Sequence, residues 1–230
     1  CDLGTPDMVI LPGTKNTIHD LLWMRQNGLE AAILKLADRQ VPVWGICGGY
    51  QMMGEVLVDE KGVESDLPSR TSGMGLLPLK TEFEKEKIRT QVEGAFGQLD
   101  GCLGGLSGKS IEGYEIHMGR TEMMSPLDYD GIAKPLTFIM DMHTDSKRVR
   151  TDGVTYGNVY GTYVHGIFDC PGIADRLVQA LLKKKGYDME PEAPFDYAAY
   201  KEEQFQKLSS ELRASLDMDN IYKILGLPRK

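Results

Sequence analysis

The stretch from Val43 to Gly54 reads VWGICGGYQMMG and sets one cysteine, Cys47, between an apolar run and a pair of glycines. A cysteine at the point where a strand ends and a helix begins is placed to act as a nucleophile. The glycines after it permit a sharp backbone and close approach by a substrate. The strand–nucleophile–helix turn of the G-x-S-x-G hydrolases follows the same logic. At a helix N-terminus the macrodipole favours a thiolate, and the Gly48 amide points toward the space where an oxyanion would form. The plain alternative is a small buried core residue, and the local pattern leaves both open.

A cysteine nucleophile needs a base, and the chain has four histidines. His19 falls in the first turns of a helix and reads as surface; His143 falls in an irregular polar stretch and reads as solvated. His117 (YEIHMG) and His165 (GTYVHG) each end a strand just before a glycine. Sites assemble at such carboxyl ends of strands in open α/β sheets. His165 is the better base, because an apolar strand delivers a polar residue at its tip. A hydrogen-bonded core histidine is its alternative.

The elements that must hold these residues follow from periodicity. Asp7–Pro12 is a short apolar run, as expected of a strand buried on both faces. A loop, GTKNT, leads to a helix from Ile18 to Asn27 closed by Gly28. Leu29–Arg39 has helical spacing, Val41–Ile46 reads as a strand and Tyr50–Leu57 as a helix. This β-α-α-β-α order implies a parallel sheet with helices on its faces. Arg89–Phe96 and Ile111–Glu122 alternate like strands. Leu127–Asp152 reads as a hairpin or loop excursion without chemistry. Val159–His165 is a further strand. Gly172–Lys185 is a helix that buries Ile173, Leu177, Ala180 and Leu181. The tail from Asp196 to Leu225 reads as two amphipathic helices with Phe205, Leu208, Leu212 and Leu216 as the buried stripe.

Composition narrows the function classes. The 230 residues are 41% hydrophobic and 26% charged, enough to fill a core. A formal net charge of −8 argues against nucleic acid, which requires a concentrated basic face. Four scattered cysteines contain no C-x-x-C, so a reducing cytoplasm is the expected compartment. No apolar run reaches the roughly 18–20 residues that span a bilayer. The chain opens on Cys1 and enters a strand almost at once, so it is expected to be a piece of a longer protein that lacks its first βα unit. GCLGGLSGKS (Gly101–Ser110) matches the phosphate-binding pattern G-x-x-x-x-G-K-[ST] only in part and is expected to be a flexible loop.

Five short motifs stand in order: LPGTKNT (Leu11–Thr17), GICGGYQMMG (Gly45–Gly54), GMGLLP (Gly73–Pro78), EIHMG (Glu115–Gly119) and GTYVHG (Gly161–Gly166). Together they resemble the glutamine amidotransferase domain of the cobyric acid synthase family, from Asp7 to about Lys185 and again in the tail. The resemblance implies an α/β, class I glutamine amidotransferase-like (flavodoxin-like) three-layer fold with a central mixed, mostly parallel sheet. It implies a glutaminase domain over 1–190 and a helical tail, 191–230, packed on it. By the resemblance, Cys47 attacks glutamine and His165 is the base. Gly48 and the Gly13–Thr14 loop hold the oxyanion, and Gln51 lines the substrate pocket. The H-x-E glutamate of many class I enzymes is absent, since Ile167 stands there; Glu115 or a backbone carbonyl is left to orient His165. No metal or cofactor is expected in this domain. ATP and Mg are expected in an N-terminal synthetase domain of the same protein, which would amidate a corrin in cobalamin biosynthesis. Two readings stand beside this one. One is a related amidoligase, such as cobyrinic acid a,c-diamide synthase or a cell-wall precursor amidating complex; the other is a non-catalytic partner-binding relative.

Overall fold

A computed structural model describes residues 2–65, 69–124, 133–144, 148–188 and 196–226. The expectation drawn from Cys1 lies outside them, as does part of the predicted excursion, 127–132 and 145–147. The chain divides into two units, Cys1–Pro191 and Glu192–Lys230.

In the first unit, β1 (Val9–Leu11) and β2 (Val43–Ile46) are the predicted apolar strands, paired in parallel with Val9 opposite Val43. Between them run α1 (Thr17–Gln26) and α2 (Leu29–Asp38). The Asn16 side chain caps α1 by accepting the His19 amide at 3.0 Å, which satisfies a donor no helical carbonyl can reach. The helix after Cys47 is shorter than its spacing predicts: α3 spans only Gly48–Met52. The β-branched run that follows becomes β3 (Val56–Asp59), in line with the preference of such side chains for a pleated surface.

Next come β4 (Ser69–Ser72), β5 (Leu79–Phe96), β6 (Ser110–Met123), β7 (Lys134–Asp141), β8 (Arg150–Tyr156), β9 (Val159–Thr162) and β10 (Val164–His165), then α4 (Ile173–Lys184). The sheet runs β1-β2-β9-β8-β7-β5-β3-β4, with β6 on β5 and β10 on β6. Pairs β1–β2, β2–β9 and β3–β5 are parallel; β3–β4, β5–β6, β5–β7, β7–β8, β8–β9 and β6–β10 are antiparallel. Among the described strands the sheet is therefore mixed and mostly antiparallel, not mostly parallel as expected. Sequence order explains the difference: β7, β8 and β9 follow one another directly, and antiparallel neighbours need only short turns where parallel ones need crossovers.

The sheet carries a core on each side, which makes the three layers. Leu21, Ile33, Val43, Met53, Leu57 and Leu79 pack with α1–α3. Trp44, Phe96, Leu103, Leu106, Tyr160, Ile173 and Leu177 pack on the other side, with α4. Adjacent Val43 and Trp44 are both fully buried, one in each core, because successive strand side chains face opposite ways. The GCLGGL stretch is not a loose loop. Gly101–Leu106 is a 3-10 turn, and its Leu103 and Leu106 anchor it in the second core.

The second unit holds α5 (Tyr197–Ser215) and α6 (Met218–Leu225), each capped by an aspartate, Asp196 and Asp217. Neither helix has a buried residue. Phe205, Leu208, Leu212 and Leu216, predicted to form a buried stripe, are exposed.

Candidate active site

Cys47 sits at the tip of β2 with φ 53° and ψ −112°. That backbone is rare for a residue with a side chain and costs about 1–3 kcal/mol, so its surroundings must impose it. They do so on three sides. The Cys47 amide donates to the Thr162 carbonyl on β9 at 2.9 Å, the Gln51 amide donates to the Cys47 carbonyl at 2.9 Å, and the Gly49 amide donates to Pro12 at 3.1 Å. A Cβ on Gly49 would stand 2.2 Å from the Leu11 carbonyl oxygen, so only glycine lets α3 start this close to β1.

The loop after β1 closes over the cysteine. A Cβ on Gly13 would lie 3.0 Å from His165 Cε1 and 3.6 Å from Cys47 Cβ; the two side chains thus flank the same glycine. The Thr14 nitrogen lies 3.0 Å from where a Cβ on Gly48 would be. The two loops expected to supply oxyanion donors therefore touch. The Gly48 amide is directed at the Cys47 sulfur, which also contacts the Ile116 carbonyl at 3.5 Å.

His165 arrives from the other side. Its strand, β10, is held on β6 with His165 opposite Tyr114 and Val164 opposite Glu115. Opposed residues of an antiparallel pair share a face. The Tyr114 ring accordingly stacks on the imidazole, with centroids 5.2 Å apart and planes 5° apart. His165 Nε2 is buried and has no hydrogen-bond partner among the described residues, which leaves a ring nitrogen free for a reacting group.

Glu115 does not orient His165. It shares the face of Val164, and its carboxylate takes both Arg150 nitrogens, Nη1 at 3.0 Å and Nη2 in a shorter bond. Arg150 also reaches Asp141 at 3.1 Å. Strand alternation sends the carboxylate away from the imidazole, and Tyr114 is what the ring rests on.

Gln51 is not a surface residue, and its amide is hydrogen-bonded inside the protein. Its Nε2 donates to the Met118 carbonyl at 3.0 Å and to Tyr163 Oη at 3.1 Å, while Oε1 accepts from Thr17 Oγ1 at 3.1 Å. With both protons used, it braces α1, α3 and β6 around the site. His117 is buried, bonds the Gly119 carbonyl through Nδ1 at 3.2 Å and stacks on Tyr163. It is a core histidine.

Electrostatics correct one further expectation. Burial pushes the Cys47 thiol up, outweighing the Gly48 amide, and a five-residue helix adds little dipole. Burial pushes the His165 imidazole down. At neutral pH the two meet as a thiol and a neutral imidazole, so proton transfer between them must accompany attack. Sequence reasoning missed Tyr114 and Tyr163. Of these, Tyr163 had a signal: it is a large polar-tipped residue in the strand that carries the base.

Known proteins bear on this geometry. The CobB/CobQ-like glutamine amidotransferase domain family matches residues 2–172. A cobyric acid synthase of Ruminiclostridium cellulolyticum is 48% identical over 224 residues, covering 97% of this chain and 42% of that protein. One from Yersinia enterocolitica is 40% identical over 227 residues, again covering 97% and 42%. The chain spans well under half the length of these curated relatives. The solved structure of PurLQS from Thermotoga maritima matches with a TM-score of 0.53 at 18% identity, covering 80% of this chain and 82% of that one; the likeness is one of fold. Family match and relatives together establish that this chain belongs to the CobB/CobQ-like glutamine amidotransferase domain family.

Proposed function

We propose that this chain is the glutamine-hydrolysing part of a cobyric acid synthase. The observation that carries the reading is that the side chains of Cys47 and His165 flank the same glycine, Gly13, while His165 Nε2 has no hydrogen-bond partner among the described residues. In the reaction, His165 accepts the thiol proton as the Cys47 sulfur attacks the side-chain amide carbon of glutamine. The oxyanion forms against the Gly48 amide and an amide of the Gly13–Thr14 loop. Losing one such donor typically costs about 2.7–4 kcal/mol of barrier. Collapse breaks the carbon–nitrogen bond, and the proton on His165 passes to the departing ammonia. Water, deprotonated by the same imidazole, then cleaves the γ-glutamyl thioester to release glutamate and the thiol.

The acceptor of the ammonia lies outside this chain. The relatives are named cobyric acid synthases and are more than twice as long as the matched region. This supports a separate domain of the same protein as partner; that this domain binds ATP, Mg and a corrin, in the cytoplasm, is part of the proposal. No helix among the described residues is long and apolar enough to cross a membrane. Cys47→Ala tests the hydrolytic step: glutamate release should fall at least a thousandfold, as for other nucleophiles that act as a unit with their base. Hydrolysis at the wild-type rate would remove the mechanism.

A further inference from the structure

β9 and β10 form a single apolar run in sequence, yet the strand breaks between Thr162 and Val164. Up to Thr162 the chain pairs with β2; from Val164 it pairs with β6. At such a change of partner the backbone amides lose their ladder acceptors and need others. Asp152, buried on β8, supplies them. Its Oδ1 accepts the Tyr163 amide at 3.1 Å, and its Oδ2 accepts the Thr162 hydroxyl at 2.5 Å and the Thr137 hydroxyl at 3.2 Å. Thr162 Oγ1 in turn accepts the Val164 amide at 2.9 Å. Three consecutive residues are thus held through one carboxylate. The first offers its carbonyl to the Cys47 amide, and the third directly precedes His165.

We propose that Asp152 is a positioning residue of this site: its carboxylate replaces a strand partner at the β9–β10 break, and so fixes Thr162 beneath Cys47 and aims His165. This rests on reading Cys47 and His165 as nucleophile and base. An acceptor-only group is what the corner requires, since an amide N–H and two hydroxyls all point at it. The groups facing it are the Thr137 hydroxyl on β7, Thr162 and Tyr163 at the corner, Glu115 on β6 with Arg150 across it, and Tyr50 on α3.

The test is Asp152→Asn in the full chain, with glutamine hydrolysis followed from about pH 5 to 9. Asparagine keeps the size but turns an NH2 toward either the Tyr163 amide or the two hydroxyls. The expected result is a folded protein whose kcat falls roughly 10–100-fold with KM changed less than about threefold, and whose acid limb moves because this carboxyl no longer titrates. A folded Asp152→Asn with wild-type kcat and acid limb overturns the proposal. Should that variant fail to fold, Thr162→Val removes the bridging hydroxyl and keeps the carbonyl under Cys47. A tenfold loss of kcat supports the proposal, and an unchanged kcat overturns it. Hydrolysis that persists in Cys47→Ala would strike the underlying reading instead.

Discussion

The two sides of the candidate site are built in different ways. The nucleophile is fixed mainly by two short stretches of chain: Cys47 takes its strained backbone from β1 with the loop after it and from the first turn of α3, with one further bond to the Thr162 carbonyl of β9. The base is fixed from a distance. His165 depends on Tyr114 of β6, on the β8 carboxylate at 152 and on the corner at Thr162–Tyr163. A local turn is written in consecutive residues, so a short motif can carry it. A corner shared by four strands is written in scattered residues that only the folded sheet brings together.

That contrast can be broken on either side. The largest effect is expected at Gly49→Ala. Its Cβ would meet the Leu11 carbonyl oxygen at 2.2 Å, and main chain cannot rotate away as a side chain can. Thermal or denaturant unfolding should show a loss of about 3 kcal/mol or more, with glutaminase activity falling alongside it. A variant as stable and as active as wild type would mean that β1 and α3 are not locked as described.

On the other side the expected effect is smaller and depends on pH. Burial pushes the Asp152 carboxyl up to about 6, against the pull of the Thr162 hydroxyl. A carboxyl raised in the folded state holds its proton more tightly there than in the unfolded chain. The stability it contributes is therefore full below the ordinary carboxyl range and is lost as pH rises through about 6. Relative to Asp152→Asn, wild type should lose up to about 3 kcal/mol of folding stability between about pH 4 and 7.5. Denaturant melts of both proteins at the two pH values measure it. A pH-independent difference would mean that the carboxyl is not buried in this way, whatever its effect on rate.

The same contrast explains what could be read in the sequence. β1, β2, α1, α2 and α4 follow from apolar periodicity and glycine stops, and Cys47, Gly13, Thr14 and Gly48 come together as their motifs suggest. Sequence pattern fails where partners are remote. The stretch from 127 to 152 reads as a hairpin or loop excursion without chemistry; β7 and β8 do pair as antiparallel neighbours, yet the stretch also supplies Arg150 and Asp152. Nothing local marks Asp152 as buried, because its acceptor role exists only when Thr137, Thr162 and Tyr163 converge on it. In the sequence Glu115 reads as lying on a neighbouring strand tip; alternation along β6, invisible without the register, turns it to Arg150. The same lack of register hid the antiparallel character of the sheet.

The central claim is that Cys47, although buried and held as a thiol, is the sulfur that meets glutamine. The direct measurement is peptide mass spectrometry of the chain treated with a glutamine-shaped chloroketone, with and without excess glutamine. Modification should fall on Cys47, be suppressed by glutamine and drop sharply in His165→Ala. Modification of Cys102 or Cys170 with Cys47 left free would contradict the account.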